Sequence, residues 1–302
     1  MNEEDTFEVG VDDKQSETGY FDGLSNPQIT QHYLGIRRTF RDLVGRSERI
    51  SRGSGGIPST GNRMFWGAVL FTRIVVMAKS IDALLPNAKR GEHWDFSAVA
   101  SLTRNLLEAS LVYHWLCGVG VDEDMRAGRF ILLNLHDYGS RRRLFPAQFP
   151  VAERDPVHKD LVQKFDANPY LATFDARQRA VALKGEKTPF LQDDVLSEIG
   201  STADEFRTLY RFFSQHTHTG PIAFYRMTDH GRGTGVETRQ EKVYMIVAID
   251  AATSTLSRTI LDHLDIFPDA ETRTPHLTRQ QIEMNVEIEQ GRLGPQSKGR
   301  GK

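Results

Sequence analysis

The residues best suited to chemistry lie between Phe206 and Pro221, in the stretch FRTLYRFFSQHTHTGP. Arg207, Arg211, Ser214 and His218 recur at spacings of four, three and four, so a helix projects them from one face. His216 falls about 140° around from Arg211 at 3.6 residues per turn. Histidine titrates near neutrality, and arginine grips a phosphate with two parallel donors. Arg211, Ser214, His216 and His218 are therefore the candidate catalytic residues, as phosphate-holding and acid–base groups. The same residue types also have a plain structural use. A histidine at a helix C-terminus complements the dipole, and a serine there bonds back to the preceding turn.

A second cluster sits in an apolar stretch. Arg104 and Glu108 are four apart and share a face with Leu111 and Trp115. A charge in such a place needs a partner. The pair either ties two helices together or walls a site in which Glu108 is a base or ligand. Arg104, Glu108 and Tyr210 are the candidate binding residues. A third feature is basic. Between Gln31 and Arg63 seven arginines face only Asp42 and Glu48, and Arg141, Arg142 and Arg143 form a second cluster. Such patches suit RNA or a phosphorylated ligand, or else a solvated surface.

Several familiar motifs are missing. The glycine-rich stretches Gly53–Gly56 and Gly231–Gly235 lack the Lys-Ser/Thr of a phosphate-binding loop, and no HExxH or GxSxG is present. Glu108, His136, Asp137 and His218 could be drawn as a metal site, but no spacing demands a metal, and no cofactor motif is present.

Helices must position these groups. Asn26-Pro27, Asp155-Pro156, Asn168-Pro169 and Thr188-Pro189 each read as a helix start, with a capping side chain before a proline. Thr202 with Glu205, and Thr278 with Gln281, fit capping boxes. Strand-like alternation is hard to find. The pattern predicts helices near 27–50, 61–85, 95–117, 123–144, 156–166, 169–184, 189–199, 203–218, 236–265 and 278–290. Those at 61–85, 95–117 and 236–265 are apolar on more than one stripe, as centrally buried helices are. The fold class is all-α, an antiparallel helical bundle with a peripheral cap of small helices from 156 to 200. Residues 1–25 read as a disordered acidic tail, 26–270 as one helical domain, and 271–302 as a C-terminal helix and disordered tail.

The chain has 302 residues and a net charge of −2, which argues against a generally basic nucleic-acid coat protein. Its single cysteine, Cys117, excludes a disulfide framework and a cysteine zinc cluster. No uninterrupted apolar run approaches the length of a membrane span, and the acidic N-terminus lacks a signal region, so a cytoplasmic protein without membrane contact is expected.

Leu102-Thr103-Arg104-Asn105-Leu106-Leu107-Glu108-Ala109 and Tyr210-Arg211-Phe212-Phe213-Ser214-Gln215-His216-Thr217-His218 resemble an uncharacterised family of helical bacterial proteins. That family carries an Arg-x-x-x-Glu helix and, about a hundred residues on, a Tyr-x-x-x-Ser-x-x-x-His helix. The resemblance spans roughly residues 60–265 and implies a fold, with no assigned chemistry. Arg211 and His216 also look like the Arg-x4–6-His signature of the HEPN superfamily, helical and often dimeric domains that include RNases of bacterial defence and stress systems. That resemblance implies that Arg211 contacts a scissile phosphate and His216 serves acid–base chemistry. Phe212 stands where a polar residue usually follows the arginine.

Two functions stay open. One is a HEPN-like RNA- or nucleotide-binding protein, or a metal-free endoribonuclease. It is expected to be a homodimer whose Arg211 and histidines meet across a cleft beside the arginine-rich first helix. The other is a non-catalytic helical module for a protein or small ligand, with the Arg/Glu/Ser/His cluster as structure. Exposure discriminates them, since a site opens to solvent with spare hydrogen-bonding capacity and a structural network is closed.

Overall fold

Short polar side chains set where the helices begin. In the computed structural model, Asp95 accepts from the Ala98 N–H at 3.0 Å and starts α3, Phe96–Cys117. Asp122 accepts from Met125 at 2.7 Å and starts α4, Glu123–Leu144. Asp155 accepts from Val157 at 2.9 Å and starts α5, Pro156–Ala167. Each satisfies a backbone donor that has no partner within its helix. The structure describes residues 21, 23–149, 155–187, 189–190, 192–198, 203–218, 220–225, 235–274, 279 and 282–283. The calls on Thr188, Thr202, Thr278 with Gln281, most of the tail at 1–25 and the stretch after Glu283 lie outside them.

The remaining helices are α1 Asn26–Gly55, α2 Asn62–Leu84, α6 Ala176–Lys184, α7 Gln192–Glu198, α8 Ala203–Thr217, α9 Pro221–Tyr225, α10 Arg239–Ile266 and α11 Pro268–Thr272. Among the described residues there is no strand, and one isolated bridge joins His93 to Val236. The fold is an all-α bundle. Its core is α1, α2, α3 and α10, with α8 laid on the far side of α3. Phe71, Ile74, Phe96, Leu106, Ile249 and Ile260 are fully buried there.

Side-chain pairs fix the helix directions. Arg41 meets Asp82, and Ser51 meets Thr72, so α2 runs antiparallel to α1. Arg63 donates to the Cys117 carbonyl, so α3 runs antiparallel to α2. Ser110 meets Thr259 and Tyr113 meets His263, so α10 runs parallel to α3. The long excursion through α4–α9 permits that parallel return, since a short loop joins only antiparallel neighbours. The small helices α5 and α6 pack on α4 and form the peripheral layer. There Gly139 and Gly185 let two backbones meet, and a Cβ on Gly139 would lie 2.7 Å from the Gly185 carbonyl.

The structure departs from the expected helices in identifiable ways. The stretch 169–184 is not one helix. Asn168 accepts from Leu171 and donates to the Asp124 carbonyl, which pins a short 3-10 turn at Leu171–Thr173 against α4. Asp175 with Gln178 then forms a capping box that opens α6. Ser25, not Asn26, is the N-cap of α1, and its N–H donates to Gln28. Gly220-Pro221 ends α8 and also opens the unexpected α9. Phe21 is buried against His32, and Arg239 donates to the Phe21 and Leu24 carbonyls, so ordered chain begins before α1. By length and composition alone α2 is apolar enough to cross a membrane, with a mean hydropathy of 1.5, and 39% of that window is buried in the bundle.

Candidate functional site

The amphipathic helix α8 carries both apolar anchors and the polar candidates. Phe213 is fully buried, and Phe212 packs 4.9 Å from Tyr244 and 5.7 Å from Phe96, ring centre to ring centre. These contacts hold α8 against α3 and α10 and bring Tyr210 to the surface of α3.

There Tyr210 meets Arg104 and Glu108. The phenol donates to Glu108 Oε1 at 2.6 Å. Arg104 Nη2 donates to the phenol oxygen at 2.6 Å and to Glu108 Oε1 at 3.0 Å. The guanidinium carbon also lies 4.7 Å from the centre of the Tyr210 ring, within cation–π range. Burial pulls the Arg104 pKa down, but the Tyr210 hydrogen bond and the Glu108 charge outweigh it and hold it above the usual arginine value. The side chains are 20% and 38% exposed for Arg104 and Glu108, so the cluster borders solvent. Arg104 Nε is buried and makes no hydrogen bond. All three candidate binding residues thus come together, joined across two helices.

The four candidate catalytic residues do not converge as a set. His216 is 1% exposed, with its ring 4.6 Å from Phe96 and 5.0 Å from Phe212. Arg211 is exposed to solvent on the outer face of α8. Ser214 donates back to the Tyr210 carbonyl at 2.7 Å. His218 lies just past the helix with an exposed ring, and its N–H donates to the Ser214 carbonyl at 3.1 Å. The face shared by Arg211, Ser214 and His218 therefore opens outward, and His216 turns inward. Arg207 holds α8 to α7 by pairing with Asp193, and it also pairs with Asp204 on its own helix.

The arginine-rich first helix packs mainly on elements other than α8. Its main neighbours are α10, α2 and α11. Much of its charge is engaged locally: Arg37 donates to Asn87, Arg41 pairs with Asp82, Arg46 with Asp42 and Arg52 with Glu48. Among the described residues no three His, Cys, Asp or Glu side chains gather as a metal site requires, and Asp137 pairs with Arg141. A surface hollow of about 780 Å³ lies where α1 and α10 begin, lined by Thr30, Lys242 and Arg38 of the basic patch, and none of the candidate catalytic or binding residues borders it.

A buried polar seam between α3 and α10 was missed. His263 is fully buried and stacked 3.9 Å from Phe71. Its Nε2 lies 3.0 Å from Ser54 Oγ and its Nδ1 3.2 Å from the Tyr113 hydroxyl. Burial pushes the His263 pKa down to about 3. His114 Nδ1 sits 2.7 Å from Asp262 Oδ2. A signal was available. Ser110, Tyr113, His114 on α3 and Thr259, Asp262, His263 on α10 are two polar triplets with the same spacing on apolar helices.

No curated protein and no solved structure matches the chain. One family model does, over residues 64–234, which takes in α2, α3, α8 and both polar motifs. That match covers more than half of the chain, and on it the chain belongs to the family of unknown function DUF5677.

Proposed function

We propose that the chain is a non-catalytic helical interaction module, in which Arg104, Glu108 and Tyr210 fasten α8 to α3. The observation that carries this reading is the three-way bonding inside the cluster. The phenol of Tyr210, Nη2 of Arg104 and Oε1 of Glu108 all bond one another. Each of these three atoms spends its bonding on the other two, which ties α8 to α3, while Arg104 Nε stays without a partner and Glu108 stays partly exposed. The burial of His216 supports the same reading, because an imidazole wrapped by Phe96 and Phe212 has no path to a phosphodiester.

A second reading is a HEPN-like, metal-free endoribonuclease. What favours it is the outward face of Arg211 and His218, which are both exposed and seven residues apart. Seven residues is two helical turns, so the two side chains point the same way. In that reading the RNA 2′-OH attacks its own phosphorus, and His218 moves the proton. Arg211 offsets the charge that builds on the phosphate oxygens, and the 5′-oxygen leaves.

One experiment separates the two. RNA cleavage and binding are measured with purified wild type, Arg211→Ala, His218→Ala and His216→Ala, with and without chelator, beside melting curves. The module reading expects no cleavage by any of them. Cleavage that survives chelator and disappears in folded Arg211→Ala and His218→Ala would replace it with the endoribonuclease reading.

A further inference from the structure

The hollow where α1 and α10 begin has walls with donors to spare. Its volume of about 780 Å³ falls in the ordinary range for a small-molecule site. From α10 comes Lys242, whose side chain is only 4% exposed. Its ammonium donates to Thr30 Oγ1 at 2.7 Å and pairs with Glu237. Thr30 donates onward to the Asn26 carbonyl, so its oxygen is free to accept from Lys242. An ammonium has three donors, and these two partners leave one over on a residue that lines the hollow. A donor withdrawn from bulk water in this way holds an anion more strongly than a solvated one.

From α1 comes Arg38. It is exposed and has no carboxylate partner among the described residues, unlike Arg41, Arg46 and Arg52 on the same helix. Arg38 sits eight residues past Thr30, about 12 Å along the helix. Long side chains on a helix lean toward its N-terminus, so the guanidinium leans over Leu34 toward the Thr30–Lys242 contact. The charge of Glu237 is matched by Lys242, which leaves the walls net positive through Arg38.

Gly35 is a separate pointer to a ligand. It lies inside α1, where glycine costs about 1 kcal/mol against alanine. No close packing asks for it, since a Cβ built there would meet nothing within 4 Å. Gly35 lines the hollow and keeps its floor open, with Pro27 and Leu34 as apolar surface beside it.

The donors arrive from two sides, a planar fork on α1 and an ammonium hydrogen on α10. A carboxylate offers two oxygens in one plane. A phosphate monoester offers three, spread in different directions, which suits donors on two walls. We propose that the hollow binds a small phosphate monoester, its terminal oxygens between Arg38 and Lys242 and its organic body on Pro27, Leu34 and Gly35. None of Arg104, Glu108, Tyr210, Arg211 and His218 borders it, so this site is tested apart from the module and endoribonuclease readings.

The test is isothermal titration of the full chain with adenosine 5′-monophosphate, ribose 5-phosphate, adenosine and adipate. Wild type is expected to bind at least one of the two esters with a Kd below about 1 mM, and adenosine and adipate at least about tenfold more weakly. Binding of both esters assigns recognition to the phosphate and sugar, and binding of the nucleotide alone adds the base. Arg38→Ala removes an exposed charge, and Gly35→Leu fills the hollow while favouring the helix, so both are expected to melt no lower than wild type. Each is expected to weaken ester binding about tenfold or more. Three results would each overturn the inference: no ester binding by wild type, adenosine or adipate bound as tightly as the esters, or ester binding unchanged in either folded variant.

Discussion

Helix α3 has two polar faces, and burial makes them different. Toward α10 it presents Ser110 and Tyr113 to a dry interior, where they pair with Thr259 and His263, and His114 beside the Asp262 carboxylate. Ser54 donates to the Ser51 carbonyl at 3.1 Å, so His263 Nε2 donates to Ser54 and Nδ1 accepts from Tyr113. One neutral tautomer satisfies both contacts. Toward α8 the same helix presents the Arg104–Glu108 ion pair at the edge of solvent, beside Tyr210. The first face fixes how the bundle is threaded. The second fixes a surface helix at a smaller gain, because solvent screens what it holds together.

The sharpest way to break this contrast is at His263. Its removal opens a cavity against Phe71 and takes away the partner of the buried Tyr113 hydroxyl, while Ser54 keeps its bond to the Ser51 carbonyl. His263→Ala is expected to lower unfolding stability by about 3–4 kcal/mol, read from urea titrations. A fall of less than about 1 kcal/mol would place His263 outside the cooperative core. The same residue predicts a pH effect. Above pH 6.5 both folded and unfolded chains hold a neutral imidazole. Below it the unfolded chain takes up a proton that the folded chain, with its pKa near 3, refuses. Stability from this group therefore declines as pH falls from 6.5 toward 3, by up to about 1.4 kcal/mol per pH unit. His263→Gln is expected to flatten the slope between pH 6.5 and 5, and an unchanged slope would show that other groups carry it.

The α3–α8 face is expected to respond more weakly. Tyr210→Phe removes the phenol that links Arg104 to Glu108 but leaves that ion pair in place. The expected cost is about 1 kcal/mol, measured by the same titrations. A loss as large as that at His263 would mean that the charged face is as integral to the bundle as the dry one.

The contrast also explains what the sequence made legible. Proline-marked starts and apolar stripes located α1, α2, α3, α5 and α10 to within a few residues, because capping and burial act locally. The pairing of Arg104 and Glu108 followed from their spacing alone, but Tyr210 as third member depended on a contact across 102 residues. The same limit hid the α3–α10 seam. Its two matched triplets were visible, but their register requires α10 to run parallel to α3, and that follows from the whole excursion between them. At Asn168 the local signal was correct and the helix was not, because a donor on Asn168 found the Asp124 carbonyl of α4.

The two histidines near the end of α8 give the finest test, since both residue types suit proton transfer while their spacing sets them on different faces. His216 is packed among Phe96, Phe212 and Tyr244, and His218 stands in solvent after the last turn. His216→Ala removes a buried ring and is expected to lower the melting temperature by several degrees. His218→Ala removes an exposed ring whose backbone bond to Ser214 survives, so it is expected to melt with wild type. If His218→Ala is as unstable as His216→Ala, the exposed ring is a structural contact and the endoribonuclease reading loses its proton carrier. If it melts normally and RNA remains intact, the face is simply surface. Only a stable His218→Ala that abolishes a wild-type cleavage gives that face a chemical role.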